Sequence, residues 1–99
     1  MTDRLSLETF SPAVGTAFIA ETGAGAVSLL LAEVTTREQY VPDAPDGWRP
    51  FTLRFTGPAE PFLDQRTYRL TNDTTGPVDV FVVPVGRDAD GLHYEAVFG

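Results

Sequence analysis

Cysteine is absent from this chain, and so is lysine. Without cysteine there can be no disulfide and no thiolate metal ligand, and nothing marks a redox compartment. Without lysine, every base is arginine, and the 7 bases face 14 acids for a formal net charge of −7. That excess opposes a phosphate-backbone partner, whose affinity comes from cationic side chains. It opposes an anionic membrane surface for the same reason. Neither nucleic acid nor membrane is therefore expected as a partner. Apolar stretches such as Leu29 to Ala32 fall far short of the roughly 20 residues that span a bilayer. Met1-Thr2-Asp3-Arg4 lacks the basic-then-apolar order of a signal peptide, so a cytoplasmic location is the expectation. Apolar residues nowhere hold helical spacing over about ten positions. One histidine and one tryptophan leave few groups for site chemistry.

What is present is β-strand pattern. Val78–Val85 reads VDVFVVPV and Leu92–Phe98 reads LHYEAVF, with Gly86-Arg87-Asp88-Ala89-Asp90-Gly91 between them. Two β-branched and aromatic runs around a Gly/Asp loop predict a β-hairpin. Earlier strands are predicted over Ala13–Thr22, Ala26–Thr36, Pro50–Thr56 and Arg66–Thr71. The breaks between them are Thr22–Gly25, a Pro-rich loop over Thr36–Trp48, Gly57–Pro61 and Asn72–Pro77. Leu5–Phe10 is predicted as a short helix or turn, capped by Thr2 or Asp3, ended by Pro12, and plugging one end of the core. Phe62 and Leu63 are expected to pin the Gly57–Pro61 connection. The fold class is therefore all-β: a single domain over residues 1–99, forming a small antiparallel barrel or two-layer sandwich of about six strands with a short N-terminal helical turn.

The strand faces differ in character. Phe51, Leu53 and Phe55 oppose Thr52, Arg54 and Thr56, and Tyr68 and Leu70 oppose Thr67, Arg69 and Thr71. These are strands with one wet face. Two other strands are apolar on both faces. Val27, Leu29 and Leu31 oppose Leu30, Ala32 and Val34, while Val78, Val80 and Val82 oppose Phe81, Val83 and Val85. One row of each must lie outside the primary core, because successive side chains leave a strand on opposite faces. Either the Thr36–Trp48 loop and N-terminal turn cover it, or another chain does. Phe81 is taken as the core residue for its size, which leaves Val78, Val80 and Val82 as candidate partner contacts. Trp48 and Arg49, at the end of the long loop, are the other candidates, a core lid being the alternative for Trp48.

Motifs for chemistry are weak. Gly23-Ala24-Gly25-Ala26-Val27-Ser28 begins like a dinucleotide fingerprint, but Ser28 replaces the third glycine and a strand follows, so a hairpin turn is the reading. Asp88-Ala89-Asp90-Gly91 starts like a calcium loop without its closing glutamate, and Asp and Gly are what a turn requires. Asp43 and Asp46 are loop formers by the same logic. His93 alternates onto one face with Glu95 and Val97. A histidine beside a carboxylate is the minimum for acid–base catalysis, but no nucleophile-elbow serine or second ligand accompanies it. No cofactor or metal is expected.

Pro50-Phe51-Thr52-Leu53-Arg54-Phe55-Thr56-Gly57-Pro58 is followed by Tyr68-Arg69-Leu70, then Phe81-Val82-Val83-Pro84-Val85-Gly86, then Tyr94-Glu95-Ala96-Val97-Phe98. In this order the segments resemble an uncharacterised family of bacterial domains about one hundred residues long, with an F-x-L-x-F-x-G-P segment and a PVG…YEAVF ending. The resemblance spans nearly the whole chain and implies no catalytic residues. It implies a setting beside phage-tail-type genes. In physical terms these motifs are scaffold. Pro84 fits an edge or bulge, Gly86 a positive φ, and Tyr94 a buried ring whose hydroxyl meets a backbone group. The function expected is a non-enzymatic interaction or structural module that self-associates as a homo-oligomer or docks into a larger, phage-tail-like assembly. The alternative is a small ligand-binding or hydrolytic barrel using His93 with nearby carboxylates.

Overall fold

A computed structural model describes residues 7–23, 25–36, 50–60 and 62–98. A helical turn α1 (Leu7–Phe10) runs into a 3-10 turn (Ser11–Ala13). Six strands follow: β1 (Ala17–Thr22), β2 (Gly25–Thr36), β3 (Phe51–Gly57), β4 (Arg66–Thr71), β5 (Val78–Asp88) and β6 (Gly91–Phe98). They close into an antiparallel barrel in the order β1-β2-β3-β6-β5-β4. β1, β2 and β3 form a meander and β4 returns beside β1, which is a Greek key. Closure gives each described strand a partner strand on both sides, which limits the free edge open to edge-to-edge aggregation.

The alternation of β3 and β4 sets the barrel's inside. Phe51, Leu53, Phe55 and Leu70 are fully buried and Tyr68 nearly so. Directly paired residues share a face, and the register carries that choice around the wall. Tyr68 pairs with Val80 and Leu70 with Val78, while Leu53 pairs with Ala96 and Phe55 with Tyr94. The expected assignment on β5 is therefore reversed. Val78, Val80 and Val82 point inward, with Val80 only 1% exposed, while Phe81 stands opposite Thr67 and is 49% exposed. Size was the wrong criterion, because Phe10, Phe18, Phe51, Phe55, Tyr68 and Tyr94 already fill the interior. On β2 the inward row is Val27, Leu29 and Leu31, and Leu30 faces out.

Two bulges adjust the wall. One falls between Leu31 and Glu33 on β2, the other between Pro84 and Gly86 on β5. The second sits where Pro84 has no amide to give the ladder, and pairing then resumes, so β5 runs to Asp88 and not only to Val85. Gly86 does not adopt a positive φ; Gly91, at φ +126°, does. A Cβ on Gly91 would overlap the Gly57 carbonyl oxygen far inside van der Waals contact, and one on Gly57 would meet Leu29 Cδ2 at 2.7 Å. Gly91 lets β6 approach β3 where β3 ends, and Gly57 leaves room for Leu29 of β2.

Both mouths of the barrel are closed. At one, Phe10 packs with tilted rings among Phe18, Phe51 and Phe98, with ring centroids 5.6–6.3 Å apart. Pro12 lies inside the 3-10 turn and not beyond it, since its missing amide costs nothing in a first turn. At the other mouth the segment from Gly57 to Arg66 crosses from β3 to β4. Leu63 is buried there, and its amide donates to the Tyr94 hydroxyl at 3.1 Å. Phe62 does not share that role and is more than half exposed.

The thinnest seam is β1–β4, where the register holds only Ile19 to Thr71 and Ala20 to Leu70. Buried Asn72 extends it by side chain. Its Nδ2 donates to Thr16 Oγ1 at 2.8 Å and to the Ala17 carbonyl at 2.9 Å, and its Oδ1 accepts the Thr74 and Thr75 amides. Every Asn72 side-chain atom is thus satisfied without water.

The reversed faces of β5 give a direct check. Val80→Asp should abolish the folded near-UV circular dichroism signal, because it buries an unpaired charge. Phe81→Asp should keep that signal and melt within a few degrees of wild type. The opposite outcome would return Phe81 to the core.

Candidate functional site

Since the interior is packed, candidate sites lie on the outside of the wall. The first is an apolar row. Phe81, Val83 and Val85 follow one another along the outer face of β5; Phe81 and Val85 are 49% and 46% exposed, and Val83 is half-buried. Val83 pairs with Glu95, and Val97, 57% exposed, follows Glu95 on the same outer face of β6. Thr67 flanks Phe81 on β4, and Thr52 flanks Val97 on β3. Ion pairs border the row. Arg69 Nε donates to Asp79 Oδ1 at 3.1 Å, and Arg54 Nη2 donates to Glu95 Oε2 at 2.8 Å. Each carboxylate raises the pKa of its arginine, chiefly through the hydrogen bond.

The second is a hydrogen-bonded chain near the β5–β6 hairpin. His93 Nε2 lies 2.7 Å from Asp88 Oδ2, and His93 Nδ1 lies 3.3 Å from Thr56 Oγ1. The register builds it, since Thr56 pairs with His93 across β3–β6, and Asp88 and Gly91 close the hairpin. In the neutral tautomer that serves both contacts, Nε2–H donates to Asp88 and Nδ1 accepts the Thr56 hydroxyl. Asp88 Oδ1 also accepts the Asp90 amide at 2.8 Å. That amide first, and His93 second, hold the Asp88 carboxyl below its ordinary range. Both Asp88 oxygens are thereby engaged within the hairpin. Among the described residues no three His, Asp or Glu side chains converge as a metal site.

Two grooves mark the barrel's ends. One, of about 330 Å³, lies beside the crossing segment, with Leu63 and Tyr68 at its floor and Glu21, Phe62, Arg66 and Arg69 around it. Burial raises the Tyr68 pKa, and its hydroxyl donates to the Asp64 carbonyl. The other, of about 380 Å³, opens at the β1–β4 seam beside Asn72 and Asp73. Neither is lined by Thr56, Asp88 or His93.

The sequence-predicted residues are not brought together. Val78, Val80 and Val82 line the interior, so as partner contacts they are corrected by their own burial. Trp48 and Arg49 fall outside the described residues, as do Asp43, Asp46, Thr2 and Asp3. His93 and Glu95 do share an outer face, but Glu95 pairs with Arg54, and the carboxylate that reaches His93 is Asp88. Phe81, Val83 and Val85 were missed as surface. The signal available was Tyr68 and Leu70, whose pairing across the Asn72–Pro77 turn fixes which β5 row faces in. Thr56 was missed as a histidine partner because cross-strand register is not written in composition.

These features define a closed Greek-key barrel with a packed interior and an apolar outer stripe. The chain belongs to the family described as Domain of unknown function (DUF6916), which matches residues 5–98. No curated protein and no solved structure matches it.

The Asp88 carboxyl gives a signed pH test. A carboxylate whose pKa is lower in the folded state stabilises the fold above the ordinary carboxyl value, about pH 4. That contribution is lost as pH falls through the lower folded value. Asp88→Asn should therefore melt slightly below wild type at pH 7, with the gap closing as melts are repeated from pH 5 down to pH 2. A gap that widens in acid would contradict the assignment.

Proposed function

We propose that this barrel is a non-enzymatic interaction module that self-associates or docks into a larger assembly. The observation that carries the reading is the Phe81–Val83–Val85 row, with exposed Val97 on the outer face of the neighbouring strand β6. An apolar patch of a few hundred Å² stands at the upper end of what soluble monomers expose. It centres on an aromatic residue, the type that most often anchors an interface. A packed interior with plugged mouths suits a rigid block more than a ligand vessel. A phage-tail-like assembly is the particular setting implied by the resemblance of the strand motifs.

Site-specific crosslinking tests this. A photoreactive phenylalanine analogue at position 81, expressed in the cells that natively carry the gene, should give a crosslinked species of higher mass. The same group at exposed position 21, on β1, should give none. Only intrachain products from position 81 would mean that the chain covers its own stripe, and the reading would fall.

A second reading rests on the Asp88–His93–Thr56 chain. A hydroxyl, an imidazole and a carboxylate in hydrogen-bonded sequence are the parts of a hydrolytic relay. In this reading Thr56 is the nucleophile, His93 its base and Asp88 the orienting group. These three side chains stand on the outer face of the wall, away from the two grooves, where little water is excluded. Hydrolysis of p-nitrophenyl esters discriminates between the readings. Loss of activity in both His93→Ala and Thr56→Val would favour the relay. Rates equal to wild type in both variants would leave the interaction reading alone.

A further inference from the structure

We propose that the occupant of the outer β5–β6 stripe is a second copy of this chain, joined face to face through the same stripe. The inference rests on the interaction reading above and names its partner. Three observations on charge and shape carry it.

First, the stripe is neutral where the chain is not. The formal charge of the whole chain is −7. The side chains that border the stripe are two arginines and two carboxylates, already matched as Arg69–Asp79 and Arg54–Glu95. A strongly basic partner would be recognised by a cluster of unpaired acid, and the flanks of this face carry matched pairs instead. A neutral apolar partner is what it fits. Its own counterpart has that character, and like-charge repulsion between two copies is smallest where each is locally balanced.

Second, the paired charges are self-complementary. In a two-fold interface each surface meets itself, so any group must find its complement on the same patch. Arg54, Arg69, Asp79 and Glu95 supply both signs on one face. Each arginine keeps its intrachain carboxylate, so the interface needs no buried unpaired charge.

Third, the area suits a modest dimer. The apolar centre alone falls short of the roughly 600 Å² per side of the smallest stable interfaces. Thr67 and Thr52 continue the same face on the strands to either side. Together with the ion pairs they form the polar rim that surrounds an apolar centre in protein interfaces.

Sedimentation velocity on the purified full chain tests the proposal. The expected result is a concentration-dependent species of twice the monomer mass. Its association should strengthen as NaCl is raised, because salt screens the repulsion between two acidic chains. Phe81→Asp should weaken the dimer at least about tenfold while circular dichroism stays native. Val14→Asp, at an exposed valine outside the stripe, should leave the dimer unchanged. A wild type that stays monomeric at high concentration overturns the proposal. So does a dimer that survives Phe81→Asp, or one that salt dissociates. A monomer that still crosslinks to another protein through position 81 in cells removes the second copy and keeps the interaction module. A monomer with no intermolecular crosslink removes both.

Discussion

Shared facing across a strand pair is the constraint on which the rest of this structure depends. Residues that pair in a β ladder point to the same side of the sheet. In a closed barrel that relation runs around the wall and returns to its start, so each strand's inward row is set by its neighbours and not by its own composition. Tyr68 and Leu70, with polar neighbours on their other face, must point inward. They draw in Val78 and Val80, and Phe81 is left on the outside although it is the largest apolar side chain of β5. One rung decides which residues hold the domain together and which are free to meet another surface.

The interior has no space left for a different choice. Six aromatic rings from α1, β1, β3, β4 and β6 occupy it, together with the valines and leucines of β2, β4 and β5. Turning Phe81 inward would shift the whole of β5 by one residue and bring Asp79 into the core as well. Overpacking and a buried charge would both oppose that state. The same crowding explains the glycines at the end of β3 and the start of β6, where a methyl group at either position meets the opposite strand or Leu29. Small residues at one rim, two bulges in the wall and plugs at both mouths are what a short sheet needs to close on itself.

The outer surface then divides by chemistry. Around the hairpin it is polar, with Asp88, His93 and Thr56 in one hydrogen-bonded chain. Along β5 and the end of β6 it is apolar and bordered by matched charges. The polar chain holds the hairpin against β3, a structural use that accounts for each of its contacts. The apolar stripe has no such internal use, because exposing it to water stabilises nothing in the barrel. That asymmetry is why a reading as an interaction surface goes further than one as a catalytic surface.

The sequence by itself determined the all-β class, the strands to within a few residues at most ends, the N-terminal plug, the placing of Pro84 at an edge or bulge and the Tyr94 hydroxyl contact. Each of these is local: period-two alternation, turn residues, and a proline that cannot donate. The wet and dry faces of β3 and β4 were legible for the same reason. What only the tertiary structure decided was everything that depends on register. β5 is apolar on both faces, so its pattern carries no preference, and the choice came from Tyr68 and Leu70 on another strand. The pairing of His93 with Asp88 and Thr56, and of Glu95 with Arg54, likewise arose between strands. Alternation fixes the period of a strand, but its phase is set by the neighbour it pairs with, and that neighbour is chosen only when the barrel closes.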